Sequence, residues 1–483
     1  MGRGTLYLMV ASAVFGLASY IIHFGLGRYL GPVDYGIFGV VLSLVTTVNL
    51  LITSGIPQSA AKYIAEDSSK VWSIIRDANR SQMVFCLLLL ALYLGLAGVI
   101  AYLLNDSSLI PYIRISALAI PAYAFHANYN AGYLNGLRKF GKQAISITGV
   151  SLARVAATFL LVLIGLGING AIIGYAISAL VGLLLAWRFL GPVKKSGVGF
   201  GWTKLVKFGI PAMAVGVGFY LLMSVDLLAV KALGSSEAEV GYYTAAATMS
   251  KLPYFLFSGL AVTLMPSISK STAANNIELT RRYIRESMRY MFMLLLPAVV
   301  LISATAGDLL TLVYSSRYIE AAAPLSILVF GLAMLSVFLV LANIIMGSGR
   351  PGIIMVLALP LVGIDIGVNI LLVPRYGLAG AAWATTIIAL LGMSATAIYV
   401  FWRFRTLVAP KSLGRICLAS VVIYLIALQV SLPAIWLPLI YIGLLTLYGG
   451  LLWLMRELNR EDWRTFEKLV SLERFTSHAD LNP

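Results

Sequence analysis

The chain has 483 residues, 60% of them hydrophobic and only 11% charged, with a formal net charge of +16 and a mean hydropathy of +0.92. A soluble core of this length does not carry so little charge, so composition alone excludes a soluble globular protein. Soluble mass is nearly absent, since the longest polar pieces, Ser269–Arg285 and the tail from Glu457 to Pro483, are too short to fold alone as catalytic domains.

Apolar stretches of about 20 residues, each able to cross a hydrocarbon layer of about 30 Å, follow one another along nearly the whole sequence. In chain order they are Thr5–Gly27, Tyr35–Ala61, Ser81–Leu104, Tyr112–Leu134, Gln143–Gly165 and Gly170–Phe189. A second set comprises Phe208–Val230, Val240–Ile268, Met288–Ala306, Ala322–Met346, Ile353–Val373 and Ala381–Phe404, and two more, Ile416–Leu432 and Trp436–Met455, close the series. The first stretch runs straight into the next, which reads as a retained signal-anchor and not a cleaved signal peptide. Beyond the last, Trp463, Phe466, Leu469 and Leu472 recur at helical spacing within Glu461–Phe475, the pattern of an amphipathic helix resting on the membrane surface.

The basic residues sit on one side. With the N-terminus inside, Lys62, Arg76, Arg138, Lys142, Lys207, Arg282 and Arg405 fall on inner loops, whereas the outer loops offer little beyond Arg28, Lys231, Arg317 and Arg375. This asymmetry places both termini in the cytoplasm of a cell with the protein in its cytoplasmic membrane, and it makes the positive charge topological, not a nucleic-acid signal. Cys86 and Cys417 lie inside separate spans and offer no disulfide or metal spacing.

The sequence repeats itself. GRYLGPVDYGIFGVVLSL, from Gly27 to Leu44, returns as KALGSSEAEVGYYTAAATM, from Lys231 to Met249. Leu30 and Leu233 are 203 residues apart, Gly36 and Gly241 205, and Pro57 and Pro266 209, while GINGAIIGYAIS at Gly167 matches GLAGAAWATTI at Gly377 with a shift of 210. So slow a drift over so long a stretch implies one duplicated unit. Six spans per unit is an even number, so both copies enter the membrane in the same direction. The expected fold is therefore an all-α membrane protein of about 14 transmembrane helices, with two six-helix lobes related by a pseudo-two-fold along the membrane normal and two C-terminal helices. As domains, that gives an N-lobe over 1–200, a C-lobe over 201–406, the last two spans over 407–456 and a cytoplasmic tail over 457–483.

The order RYLGPVDYGIF, an apolar span, then GIPQSAAKYIA, from Arg28 to Ala65, resembles the opening of lipid-linked oligosaccharide flippases of the Wzx type, members of the multidrug, oligosaccharidyl-lipid and polysaccharide exporter superfamily. Val225–Ala246 is similar to the start of that family's second half. The resemblance runs end to end and implies V-shaped inward-open and outward-open states of two six-helix lobes, without by itself naming the cargo; the expected function is alternating-access transport of a polyprenyl-linked glycan without covalent chemistry, with membrane lipids and glycan-assembly enzymes as expected partners.

Ionisable groups inside a span are costly and count as functional candidates. Lys251 lies about eleven residues into its span, which at about 1.5 Å per residue puts it near the midplane, and Arg154 sits at a similar depth. Asp226 and Asp365 are the deep acids. They admit two readings: ion pairs, such as Asp226 with Lys251 and Arg154 with Asp365, that hold helices in register, or a division by sign. In the second, Lys251 and Arg154 hold the phosphate or pyrophosphate of the lipid-linked glycan. Asp365 and Asn369, four apart on one helical face, then join Thr385 and Thr386 of the next span as oxygens suited to a desolvated sodium ion, and the resemblance, which implies a cation site across spans seven, eleven and twelve, adds Asp226; a proton is the other candidate coupling ion and no further cofactor is expected. Polar residues in spans two, four and seven, namely Asn49, His126, Asn130 and Tyr220, are candidate sugar contacts, although for His126 a hydrogen-bonded helix-packing role is favoured over a proton relay.

Rival classes fare less well. A cation-coupled multidrug antiporter of the same fold usually places an acid in the first span, where this chain has only His23; it stands as the alternative. A glycosyltransferase or ligase needs acid–base residues on a substantial outer loop, and the longest here, about Gly307–Glu320, is too small.

Overall fold

The computed structural model describes residues 3–195, 200–430 and 433–458, and all regular structure among them is helical. The amphipathic segment expected over Glu461–Phe475 lies outside the described residues. Helix α1 (Arg3–Ser54) carries two spans in line and is broken at Gly31, where φ is 79° and Pro32 restarts the helix. The second span finishes in α2 (Ile56–Glu66). The third is α3 (Val71–Gly95) with α4 (Ala97–Leu103), and the fourth is α5 (Leu109–Ser116), α6 (Ala119–Ala127) and the π-helical segment Asn128–Leu134. Spans five and six are α7 (Phe140–Leu161) and α8 (Gly167–Leu190). Span seven is split into α9 (Trp202–Leu221) and α10 (Val225–Ala232), and span eight is α11 (Glu237–Ala273). Then come α12 (Ile277–Ala304), the short α13 (Ala306–Val313), α14 (Ala322–Gly347) and the broken α15 (Pro351–Phe404), which carries spans eleven and twelve. The last two spans are α16 (Pro410–Gln429) and α17 (Leu437–Leu454), which makes fourteen among the described residues.

Two helices extend past their apolar cores. Span three starts at Val71, ten residues before the apolar run at Ser81, because the polar first turns are buried: Ser73, Ile74, Asp77 and Ala78 face inward, and Asp77 accepts the Gly201 N–H at 3.1 Å. The polar piece Ser269–Arg285 is mostly helical too, since α12 begins at Ile277, where the Asn276 side chain accepts the Leu279 N–H at 3.0 Å.

The duplication is written in the backbone. Gly167 and Gly377, paired by sequence, hold φ/ψ of 50°/−132° and 56°/−135° at the entry to spans six and twelve, a region that only glycine occupies without strain.

By contact the chain divides into two compact units: Met1–Met249 with Val313–Pro324 and Gly352–Ile388, and Ser250–Leu312 with Leu325–Pro351 and Ala389–Pro483. These cut across the two sequence copies. The first unit has a core where Ile56, Ala60 and Ile64 of α2 meet Ile74 of α3 and Tyr133. In the second, Val300 and Leu301 of α12 pack on Ile416, Ala419 and Ile423 of α16 and on Leu444 and Tyr448 of α17. Between lipid-solvated helices such contacts are held by van der Waals packing and hydrogen bonds, since lipid tails offer no hydrophobic drive.

Just beyond α17, Glu457 is 4% exposed and locks this second core. Its carboxylate accepts from Arg289 Nε at 2.8 Å and Arg415 Nη1 at 3.3 Å, and from the Ser412 hydroxyl. Burial pushes the Glu457 carboxyl up, but the hydrogen bonds from Ser412, Arg289 and Arg415 and the Arg289 charge outweigh it and hold the group below the usual glutamate range. A depressed folded-state pKa contributes stability above the unfolded value of about 4.3 that is lost as pH falls through the folded one. Glu457→Gln is expected to cost about 2 kcal/mol at neutral pH and to flatten the acid limb of the stability curve; thermal unfolding in detergent from pH 7 to pH 3 measures both.

Candidate transport site

The four residues expected to hold a coupling cation meet in the first unit. Asp226 opens α10, Asp365 and Asn369 lie in the first half of α15, and Thr385 lies in its second half. Asp226 and Thr385 are 2% exposed and Asp365 and Asn369 fully buried. Asp226 Oδ2 accepts from the Thr385 hydroxyl at 3.1 Å and from the Tyr243 hydroxyl at 2.7 Å, while Oδ1 accepts its neighbour Leu227's N–H at 2.8 Å. Asn369 Nδ2 donates to the Asp365 carbonyl and to its Oδ1, both at 3.0 Å. Asp365 Oδ2 and Asn369 Oδ1 are buried with no hydrogen-bond partner. Asp226 and Asp365 also stand within electrostatic reach of each other. Two carboxylates, an amide oxygen and a hydroxyl, two of them with unsatisfied oxygens, form an oxygen-only donor set that suits a hard monovalent cation or a shared proton. Tyr243 is the member that sequence reasoning missed. A tyrosine at helical spacing reads as packing, but the repeat offered a signal: its counterpart 205 residues earlier is Phe38, so only the second copy carries a hydroxyl there.

Arg154 does not pair with Asp365. It is 6% exposed on α7, where Nη2 donates to the Tyr123 hydroxyl at 2.7 Å and Nε to the Ser178 hydroxyl at 3.4 Å. The guanidinium also lies 4.6 Å from the centroid of Tyr175 and 4.9 Å from that of Phe15. The rings and hydroxyls of its own lobe reach it first, and the ion-pair reading is replaced by a cation without a carboxylate within 4 Å among the described residues. Asp226, likewise, is held by Tyr243, Thr385 and its own backbone.

Chain 1–272 matches the family described as Polysaccharide biosynthesis protein, more than half of the sequence. The chain belongs to that family. Three relatives extend the match: an uncharacterized membrane protein of Methanocaldococcus jannaschii, 22% identical and covering 80% of this chain and 94% of its own length; the probable low-salt glycan biosynthesis flippase Agl15 of Haloferax volcanii, 22% identical over 59% and 65%; and the lipid II flippase MurJ of Bacillus subtilis, 25% identical over 56% and 55%. Among solved structures, lipid II flippase MurJ in an inward closed conformation superposes with a TM-score of 0.79 at 15% identity, covering 92% of this chain and 98% of its own. A multidrug resistance MATE family transporter of the MOP superfamily, inward-facing, gives 0.72 at 14% identity, covering 84% and 98%. The fold is that of these solved structures, and the protein is a multi-pass membrane protein.

Other residues of this polysaccharide biosynthesis family member fall as follows. His126 accepts or donates at 3.3 Å to Ser146, which in turn donates to the Gly182 carbonyl, a helix-packing arrangement. Asn130 is buried in the π-helical segment with Oδ1 unpartnered, beside Asn128, whose Nδ2 reaches Asn79 at 3.4 Å. Asn49 Oδ1 is likewise buried and unpartnered, and the Tyr220 hydroxyl donates to the Ser43 carbonyl at 3.4 Å. Lys251 belongs to the second unit and is partly exposed on α11. Lys231, expected as a loop cation, instead ends α10 and pairs with Asp106 at 2.6 Å, with side chains 7% and 11% exposed. Burial raises the Asp106 carboxyl, and the bonds from Lys231 and Ser108 more than reverse that.

Proposed function

We propose that the protein is a flippase that carries a polyprenyl-phosphate- or pyrophosphate-linked oligosaccharide from the cytoplasmic to the outer leaflet of the cytoplasmic membrane by alternating access, with both termini cytoplasmic and an inward sodium or proton gradient as the drive. The observation that carries the coupling is the buried set of Asp226, Asp365, Asn369 and Thr385 with its unsatisfied oxygens. A charged group at this depth is retained against a cost of several kcal/mol only where it has work to do. The flippase names among the relatives support the cargo, as does a first span with no acid.

In this reading Lys251 and Arg154 supply positive charge to the anionic headgroup, whose crossing of the low-dielectric core is otherwise prohibitive, while Asn49, Asn130, His126 and Tyr220 offer hydrogen bonds to sugar hydroxyls. The isoprenoid tail stays in lipid. A cation held near the midplane lowers the barrier from where it stands, because Coulomb attraction reaches further in a low dielectric than in water. Lys251→Ala is expected to lower translocation of a fluorescent lipid-linked oligosaccharide in reconstituted vesicles by about tenfold or more, the scale of one lost charge-assisted bond, with expression and thermal stability unchanged. Parent-level transport in that variant removes Lys251 from the mechanism.

The match to a multidrug transporter favours a second reading, cation-coupled drug export. Mass spectrometry of lipids co-purified with the protein separates them: a polyprenyl-linked glycan favours the flippase, and cationic drugs with no glycolipid favour the exporter.

A further inference from the structure

The interior site has a counterpart in the other copy, and its charge is inverted. His23 lies 203 residues before Asp226, the same shift as Leu30 to Leu233. Arg154 and Thr158 lie 211 residues before Asp365 and Asn369, and Tyr175 lies 210 before Thr385. These shifts are bracketed by two backbone landmarks, Arg138 and Gly349, 211 apart and both at positive φ, and Gly167 and Gly377, 210 apart with matching dihedrals. Phe38 takes the place of Tyr243. So Asp226, Tyr243, Asp365, Asn369 and Thr385 in the second copy answer to His23, Phe38, Arg154, Thr158 and Tyr175 in the first.

The first-copy residues also meet in space, all within the first unit. The His23 and Phe38 rings are 5.9 Å apart, Phe38 meets Tyr175 edge-on at 5.9 Å, and Tyr175 lies 4.6 Å from the Arg154 guanidinium. Phe38, Tyr123 and Tyr175 border one small cleft with Ser116. Arg154 and Thr158 stand beside that cleft and do not line it, and three features of their own surroundings point to a ligand. Arg154 is more than nine-tenths buried without a carboxylate within 4 Å among the described residues. One turn along, the Thr158 hydroxyl is fully buried and unpartnered. The Tyr123 and Ser178 hydroxyls already flank the guanidinium. A guanidinium in such surroundings carries a desolvation cost that neutral hydroxyls and ring faces meet only in part, and a charge-assisted bond to an anion offsets more of it.

We infer that this first-copy cluster is an anion site, in which Arg154 and Thr158 bind one small anionic group at the position where the second copy would take a cation. The ligand is either a halide from solution or a phosphate oxygen of the lipid-linked substrate; only the phosphate source rests on the flippase reading. The duplication then holds two opposite charges at pseudo-equivalent depths, which gives the carrier a balanced interior.

The test uses the purified full-length chain in detergent, with thermal unfolding read in sodium gluconate and sodium chloride, and separately with undecaprenyl phosphate added in micelles. A chloride-dependent rise in Tm that Arg154→Gln loses and Arg154→Lys keeps assigns a halide. No chloride response, but undecaprenyl phosphate binding weakened about tenfold or more in Arg154→Gln and Thr158→Val, assigns the substrate phosphate. If Arg154→Gln responds to chloride and to undecaprenyl phosphate as the parent does, or if the parent responds to neither, the inference is overturned. Arg154→Lys retains the charge and guards against a variant that merely misfolds. Exchange of sodium for choline reads the second-copy site in the same samples, so failure of the cation reading shows there and leaves the anion result standing.

Discussion

Asp365→Asn is expected to abolish cation-driven transport and to weaken sodium binding by about 100-fold, the scale of removing one partner from a buried charged cluster. The reason lies in the electrostatics of the pair. Asp226 already has three donors, from Tyr243, Thr385 and the Leu227 backbone, and its charge is largely satisfied by them. Asp365 has one, from Asn369, and an oxygen without any. The less satisfied carboxylate gains most from a cation, and its loss removes both the attraction and the like-charge repulsion that made two carboxylates unstable together. The amide that this substitution introduces can still accept a hydrogen bond from Asn369, so folding should survive while binding does not. Tyr243→Phe removes one of the donors to Asp226 and is expected to have a smaller effect, about tenfold. Radioactive sodium binding to purified protein and substrate flux with sodium or choline outside the vesicles measure the two consequences separately. Parent-like sodium binding in Asp365→Asn would take these oxygens out of the coupling mechanism.

The spans were legible because nothing but length and apolarity is needed to cross a bilayer, and the repeat was legible because its glycines mark backbone positions that substitutions cannot fill. Asp226, Asp365 and Asn369 stood out from sequence since charged and amide residues inside spans are rare, while grouping Asp226 with Asp365, Asn369 and Thr385 leaned on the family resemblance. Less could be read where chemistry depends on which neighbour arrives first. Arg154 and Asp365 looked complementary, yet Tyr123, Ser178 and two aromatic rings surround the guanidinium, and no pattern of charge alone distinguishes a partner across the membrane from a hydroxyl on the next helix. The polar start of α3 was missed for the same reason: Asp77 and Ser73 read as loop until their burial is known. His23, the lone titratable group of the first span, gains meaning from the repeat, because the 203-residue shift that relates Leu30 to Leu233 sets it opposite Asp226.

Gly241→Ala is expected to destabilise the protein by about 2–3 kcal/mol and to block transport, a large effect for one added methyl group. Gly36 and Gly241 are the equivalent glycines of the two copies, and the structure brings them against each other. A Cβ on Gly36 would stand 2.7 Å from the Gly241 nitrogen and 2.9 Å from the Glu237 carbonyl oxygen, while one on Gly241 would overlap the Pro32 carbonyl. Both obstacles are backbone, which cannot swing aside as a side chain does. Next to them Gly39 meets the Thr244 side chain, and the Tyr35 hydroxyl is within 3.4 Å of Thr248 and 3.1 Å of Tyr314. The repeated motif therefore builds a seam between the copies, in which glycine permits the close approach of α1 and α11 that small residues allow in membrane helices. If alternating access parts and closes this seam, an added Cβ holds it open and arrests the cycle in one state. Gly449→Ala, with open space around its Cα, should be neutral or slightly stabilising, since alanine favours helix. Gly36→Ala and Gly241→Ala act on one contact, so their double variant should cost less than the sum of the singles. Thermal unfolding of these variants beside the parent, with flux from vesicles, decides it: additive costs at Gly36 and Gly241 would show that they do not share one contact, and parent-like transport in Gly241→Ala would show that the seam plays no part in the cycle.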